Sequence, residues 1–458
     1  MQKILAIAWL TWKAVLRFRL FAVVATLLVL AVVGLPMVVK DDGTARGFAQ
    51  IIITYTLSAV TVLLGFSTLW LSCGALARDI EECQIQVVAT KPIARWQIWL
   101  GKWLGIASLN AVLLILAGAC IYGLLEWRAS KLPLLQRTQL RQELLVARGS
   151  AREADNSAQI NAETEQILQD RVKQNPGIAA DLNEVRTQIR EQVKADFQLV
   201  PPGYVRQWNI TNADLIATGG SGDKTLQLRV KFQSSDHNPN GHYVGIWEIG
   251  NPDSTNYYVL PPMSLAPDTF HEFEIPNATS DKGVLSIVFV NQNNISLLFP
   301  LEDGMEVLFP QGSFTPNFIR ALGIIFCWLV LLSAIGLMAA SFLSFPVAAF
   351  FSITMLAVAL SSSTLADTVD LGTVTQGSTP ATRSITDTIF IPFYQGLIYL
   401  LNLVEKFSPI DALSSGRSVP GSELAAAFCQ IVVLFGGTFA LIGIALFSRR
   451  ELAAAQNQ

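Results

Sequence analysis

The segment Ala321 to Leu343, ALGIIFCWLVLLSAIGLMAASFL, contains no Asp, Glu, Lys, Arg or His. Crossing a bilayer core of about 30 Å takes roughly 20 apolar residues in a helix. This stretch is therefore read as a membrane span. The same reading applies to Leu20 to Val39, Gln50 to Leu76, Leu104 to Leu125, Pro346 to Ala366 and Leu424 to Phe447, none of which carries those five residue types. A helix closes its backbone hydrogen bonds internally, so these runs satisfy their own polar groups in lipid. The pattern predicts a polytopic α-helical membrane protein with six transmembrane helices.

Composition agrees. Of the 458 residues 51% are hydrophobic and 15% charged, with a mean hydropathy of +0.43. Soluble domains carry about 25% charged residues. A formal net charge of −3 offers no broad basic surface for phosphates, so nucleic acid is excluded as a partner. The five cysteines, Cys73, Cys83, Cys120, Cys327 and Cys429, lie in or beside apolar runs, which leaves the polar middle of the chain without a disulfide framework. His237, His242 and His271 fall in a region without cysteine, so no Cys/His zinc spacing exists and no metal is expected.

Lys3, Lys13, Arg17 and Arg19 precede a long apolar run that lacks a small-residue cleavage site, which reads as an uncleaved first span. Residues 4 to 18 mix apolar and basic side chains. That pattern suits either a helix lying on the inner surface or a simple extension of the first span. Basic residues flanking the spans orient the chain. Lys3, Lys13, Arg17, Arg19, Arg78, Lys91, Arg95, Lys102, Arg449 and Arg450 fall on one side, and Lys40, Arg46, Arg383, Lys406 and Arg417 on the other. The excess places both termini in the cytoplasm, in an inner (cytoplasmic) membrane. Trp99, Trp103 and Trp127 fit interfacial belts. The short run 391–404, with Pro392 near its start, reads as an outer re-entrant or interfacial segment.

Residues 1–127 thus comprise an N-terminal interfacial helix, spans one to three and a cytosolic loop at 77–102, and residues 317–458 hold spans four to six. Between them lies an extracytoplasmic α+β insertion, 128–316. In 128–203, Leu182, Val185, Ile189 and Val193 recur at three-to-four spacing around a Pro176-Gly177 break, predicting a helical hairpin. In 204–316, short alternating runs such as Thr225 to Phe232 and Tyr243 to Ile249 are punctuated by Gly, Asn, Asp and Pro, predicting a β-sandwich.

Sites of chemistry are sparse. Thr218-Gly219-Gly220-Ser221-Gly222-Asp223-Lys224-Thr225 imitates a phosphate loop, but Thr218 and Asp223 stand where that loop needs glycine, so a β-turn is the better reading. No Gly-x-Ser-x-Gly nucleophile motif occurs and no histidine lies in a span, so the chain is expected not to be an enzyme. Thr54, Thr56, Ser58, Thr61, Asn110, Ser361 to Ser363 and Gln430 either line a path or bond between helices, the commoner case. Tyr204, Trp208, Trp247, Tyr257 and Tyr258 either bind a sugar or polymer or fill the sandwich core.

The loop between spans two and three is the most informative: Arg78-Asp79-Ile80-Glu81-Glu82 on an amphipathic helix, Lys91-Pro92, then Arg95-Trp96 and Gly101-Lys102 leading into the third span. It presents charges to the cytosol while its aromatics grip the interface. With the ending Ser448-Arg449-Arg450-Glu451-Leu452, this combination resembles the permeases of ABC-2 type transporters, over a little more than half the chain. The resemblance implies that Arg78, Glu81, Glu82, Lys91 and Arg95 form the surface that docks on a separate cytosolic ABC ATPase subunit. It also implies a second permease subunit, identical or not. No cofactor is bound directly, since ATP is hydrolysed by the partner. The spans lack ionisable groups of the kind ion-coupled carriers use, which also favours external power. The insertion makes export or handling of an envelope-related substrate the expectation. The alternative is a membrane-anchored receptor or adhesion protein binding an envelope polymer through its sandwich.

Overall fold

The computed structural model describes residues 2–17, 19–38, 45–82, 93–174, 182–211, 226–236, 241–250, 257–275, 284–360, 396, 399, 403–404 and 406–450. In chain order the helices are α1 (Gln2–Arg17), α2 (Phe21–Gly34), α3 (Gly47–Glu81), α4 (Arg95–Ser130), α5 (Leu134–Glu143), α6 (Ser157–Gln174), α7 (Leu182–Gln198), α8 (Phe314–Ala340), α9 (Phe345–Leu360), α10 (Pro409–Ser414) and α11 (Gly421–Arg449). Two compact units result, Met1–Ala147 with Ser313–Gln458, and Arg148–Gly312.

The first unit is a helical bundle. Among the described residues, four helices, α3, α4, α8 and α11, are long and apolar enough to cross a membrane. The expected first span, Leu20 to Val39, corresponds to α2, which meets the preceding α1 at 73°; the bent pair makes a fifth crossing if it counts as one span. α1 is therefore a separate helix, not a straight extension. It lies along the beginning of α4, where the Trp12 indole donates to Ser108 Oγ at 2.8 Å. The expected span from Pro346 is represented by α9, whose 16 residues are fewer than a crossing needs. The rest of that stretch, and most of the segment expected near 391–404, lie outside the described residues.

α8 is the axis of the bundle, with 72% of its apolar window buried against 28% for α11. Lipid is as apolar as a leucine side chain, so small residues and close approach hold such helices together. At Gly336 of α8 a Cβ would stand 2.1 Å from Ser72 Oγ of α3, and Cys73 Sγ contacts the Gly336 carbonyl at 3.6 Å. α11 keeps Val433, Leu434 and Leu441 more than half exposed, a face suited to lipid or to another helix.

In the second unit α6 and α7 form a hairpin whose core is Ile160, Leu168, Ile189 and Val193. The strands are β1 (Val146–Ala151), β2 (Leu199–Val200), β3 (Val205–Thr211), β4 (Leu226–Val230), β5 (Gln233–Ser234), β6 (Tyr243–Ile249), β7 (Tyr258–Leu265), β8 (His271–Ile275), β9 (Val284–Asn291), β10 (Leu297–Leu298) and β11 (Met305–Ser313). They make two four-stranded sheets, ordered β1-β11-β4-β8 and β3-β9-β6-β7, and a small sheet β2-β10-β5. Alternation along β6 and β9 turns one face of each strand inward. Both large sheets contribute to one core through Leu228, Val307, Phe309, Trp208, Trp247 and Ile287, which is a β-sandwich. β1 lies inside the stretch whose composition reads as helical. Its six residues are too few for alternation to stand out, and its neighbour β11 is far along the chain.

Candidate functional site

Arg78, Glu81, Glu82 and Arg95, singled out between the second and third expected spans, sit at the end of the bundle where α3 finishes and α4 begins. A helix leaves its last four carbonyls and first four N–H groups without internal partners, and its dipole favours cations at the C-terminus and anions at the N-terminus. Five helix ends converge here, those of α3, α4, α8, α9 and α11, and charged side chains from other elements meet three of them.

Arg95, in the first turn of α4, donates through Nη1 to the carbonyls of Phe447 at 3.2 Å, Ser448 at 2.8 Å and Arg450 at 2.8 Å, the C-terminal end of α11. Arg450 in turn reaches the C-terminal end of α8, donating to Ser341 O at 3.3 Å and Ala340 O at 3.5 Å. Glu81, at the end of α3, accepts the backbone N–H of Phe345 at 2.8 Å and so caps the start of α9. Arg78 lies over the Phe345 ring at 4.2 Å, and Trp70 meets the same ring edge-on at 5.3 Å. Phe345 is thereby held at its ring and its backbone by one helix.

Lys102 adds a further tie. Its ammonium bonds the Ala75 carbonyl and the Asp79 carboxylate of α3, both at 2.5 Å, and its side chain is only 9% exposed. A cation buried to that degree needs a paired carboxylate. Beneath the charges lies an apolar plug that includes Ile7, Leu76, Trp99, Leu337, Ala340 and Phe447. Trp99 is fully buried; its indole N–H donates to Ser341 Oγ at 3.3 Å, and a Cβ on Gly443 would sit 2.9 Å from its Nε1.

Of the five residues proposed from sequence, Arg78, Glu81 and Arg95 are thus part of one set of ties between helices. Glu82 is exposed just past the last turn of α3, and Lys91 lies outside the described residues. Sequence reasoning did not single out Asp79, Arg450, Trp99 or Phe345 as contributors. A charged residue within one turn of a helix end is the signal that marks the first two. The aromatics look like ordinary interfacial residues until their partners are known.

The polar residues of the spans divide. Thr61 bonds back to the Leu57 carbonyl of its own helix at 2.8 Å, which matches neither expectation, while Gln430 donates to Leu403 O at 3.1 Å, outside its own helix. Thr56 and Asn110 are buried, and the Thr56 hydroxyl and the Asn110 amide have no hydrogen-bond partner among the described residues. Ser361 to Ser363 lie outside them. In the sandwich, Trp208 and Trp247 are core residues stacked at 6.2 Å, while Tyr204 is 66% exposed and Tyr257 and Tyr258 are partly so. His271 Nε2 donates to the Ala266 carbonyl at 2.8 Å and lies 3.0 Å from Thr269 Oγ1, and the phosphate-loop imitation at 218–225 lies outside the described residues. No cluster of three or more His, Cys, Asp or Glu fit to hold a metal occurs among the described residues.

Compared with known proteins, the chain matches no family model, no curated protein and no solved structure.

Proposed function

We propose that this chain is the permease subunit of an ATP-driven transporter of the ABC-2 type. In this reading it has six spans and both termini in the cytoplasm of an inner-membrane protein. It is powered by a separate cytosolic ATPase, pairs with a second permease subunit, and exports or handles an envelope-related substrate. The observation that carries the reading is the set of ties at the Glu81 end of the bundle. A push on the segment Arg78–Glu82 is transmitted directly to α9 through Glu81 and Phe345 and to α4 through Asp79 and Lys102. From α4 it passes through Arg95 to α11. A subunit without its own energy source needs such a stiff input, because packed helices shift between discrete arrangements rather than deforming continuously.

The test is extraction of the tagged full chain from its native membranes in mild detergent, followed by assay of ATP hydrolysis. The expected result is an associated ATPase whose recovery falls sharply in Glu82→Lys. A second arm places a cysteine at Glu82 in a background lacking the five native cysteines and labels intact cells with a membrane-impermeant maleimide. Labelling from outside the cell overturns the proposal, as does a pure chain with no ATPase.

A competing reading, a receptor or adhesion protein, draws on the exposure of Tyr204, Tyr257 and Tyr258. It predicts polymer binding that is lost on Tyr→Ala substitution and is indifferent to Glu82→Lys.

A further inference from the structure

The opposite end of the bundle holds an open cavity of about 260 Å³ lined by Tyr122, Glu126, Arg141, Leu145, Phe314 and Thr315, among others. The volume is below the roughly 300–1,000 Å³ of drug-sized pockets, so its occupant is small or is one end of a larger molecule. Its polar groups come in two pairs. Arg141 Nη2 bonds Glu126 Oε1 at 2.6 Å, and the Tyr122 hydroxyl meets Thr315 Oγ1 at 2.9 Å. The floor is aromatic, with Phe314 stacked on Tyr122 at 6.2 Å.

We infer that this cavity binds a small zwitterion in which a phosphate and a primary ammonium lie a few atoms apart, the head of an aminophospholipid. An anion alone meets the Glu126 carboxylate, and a cation alone meets Arg141. A ligand carrying both charges engages each partner, and both side chains are about half exposed, at 47% and 48%, so their pair separates at little cost. The phosphate side is also favoured by the first turn of α8, which contains no acidic residue and whose N-cap Ser313 makes no side-chain capping bond.

The surroundings of the cavity suit a lipid. Arg141 and Leu134 are seven residues apart on α5, hence on one face two turns apart. Leu134 is 80% and Leu135 73% exposed. Such side chains give acyl chains a path away from the head. Trp127 is half exposed with the Lys131 ammonium 3.8 Å from its ring centroid, an arrangement typical of the headgroup level of a bilayer.

The experiment uses the full chain in nanodiscs made with phosphatidylethanolamine, phosphatidylcholine or phosphatidylglycerol, with lipid retained on the protein read by native mass spectrometry. Phosphatidylethanolamine should be retained over the other two, because choline has no N–H for Glu126 and glycerol no cation. Glu126→Gln and Arg141→Gln should each lower that retention about tenfold, the scale of one charged hydrogen bond. A further arm adds soluble phosphoethanolamine. Displacement of the lipid identifies the head alone as sufficient; no displacement, with lipid retention intact, identifies the membrane lipid as the source. Equal retention of phosphatidylglycerol, or unchanged retention in both variants, overturns the inference. Lipid retention is read without any ATPase, so it stands or falls separately from the proposed function.

Discussion

Arg95 Nη1 donates to the backbone carbonyl of Arg450 at 2.8 Å, joining the first turn of α4 to the residue that follows α11 across 355 positions of sequence. Because Arg450 itself holds carbonyls of α8, two arginines in series tie three helices together at one level. The cations stand where helix dipoles are negative, so the attraction adds to the hydrogen bonds.

Arg95→Gln should lower the unfolding midpoint of the detergent-solubilised chain and, on the proposed function, weaken coupled ATPase activity, since hydrogen bonds to a charged group contribute about 1.5–3 kcal/mol. Arg95→Lys should restore only part of each, because an ammonium does not reproduce the planar fork of guanidinium N–H groups. Full recovery with lysine would show that charge alone matters at this position.

Glu81 and Glu82 should separate in their effects. Glu81→Lys removes the acceptor for the Phe345 N–H, so hydrogen exchange at the start of α9 should accelerate, while Glu81→Gln retains an acceptor oxygen and should not change it much. Glu82→Lys should leave α9 protected and, on the proposed function, reduce association with an ATPase partner. Loss of α9 protection in Glu82→Lys would mean that both carboxylates are structural.

Gly336→Ala should destabilise the bundle by about 1–3 kcal/mol, the usual range for forcing atoms into a packed core. The new methyl would fall on Ser72 Oγ, and the Leu69 carbonyl at 3.3 Å blocks retreat on the other side. Adding Ser72→Ala should recover part of the loss in thermal unfolding, whereas a purely additive double variant would argue against direct collision.

In the insertion, Glu306 accepts from Arg229 at 2.9 Å, Arg152 at 3.1 Å and Ser150 at 2.7 Å, with its side chain 2% exposed. Removing one partner of a buried ion pair costs about 3–5 kcal/mol, because the remaining charge has lost its compensation. Glu306→Ala should therefore open residues 148–312 to limited proteolysis at protease levels that leave the parent chain intact.

Acid should loosen the start of α6. Asp155 accepts both the backbone N–H and the hydroxyl of Ser157 at 2.8 Å, and the backbone bond above all holds its carboxyl below the ordinary 3.8. A carboxylate with a depressed folded-state value contributes stability above its unfolded value and loses it as pH falls through the folded one. Relative to Asp155→Asn, the parent chain should show slower exchange at the first amides of α6 at pH 7, and the difference should vanish as the pH falls through the lowered folded-state value. A difference that persists there would assign the protection to something other than the carboxylate.

The long apolar helices α3, α4, α8 and α11 are legible in the sequence because crossing lipid is a local demand on length and composition. Alternation in Tyr243 to Ile249 and Val284 to Asn291 is equally local, since successive side chains of a strand point to opposite faces. Less of the candidate site could be read. Arg78, Glu81 and Arg95 stand out as charges beside spans, yet in sequence they look like solvent-facing residues that set topology. Strand β1 is invisible for a related reason, because its neighbour β11 is far away in the chain.

Hydropathy and strand alternation depend on neighbours along the backbone, and so the helical bundle, its sandwich insertion and the charge-rich end of α3 follow from the amino acids in order. Which carbonyl Arg95 holds, which N–H Glu81 caps and how Tyr122, Glu126, Arg141 and Thr315 come to line one cavity depend on helix register across hundreds of residues. Folding sets that register through packing at places such as Gly336 and Gly443, where the absence of one methyl group lets helices approach, and no one-dimensional pattern encodes that distance.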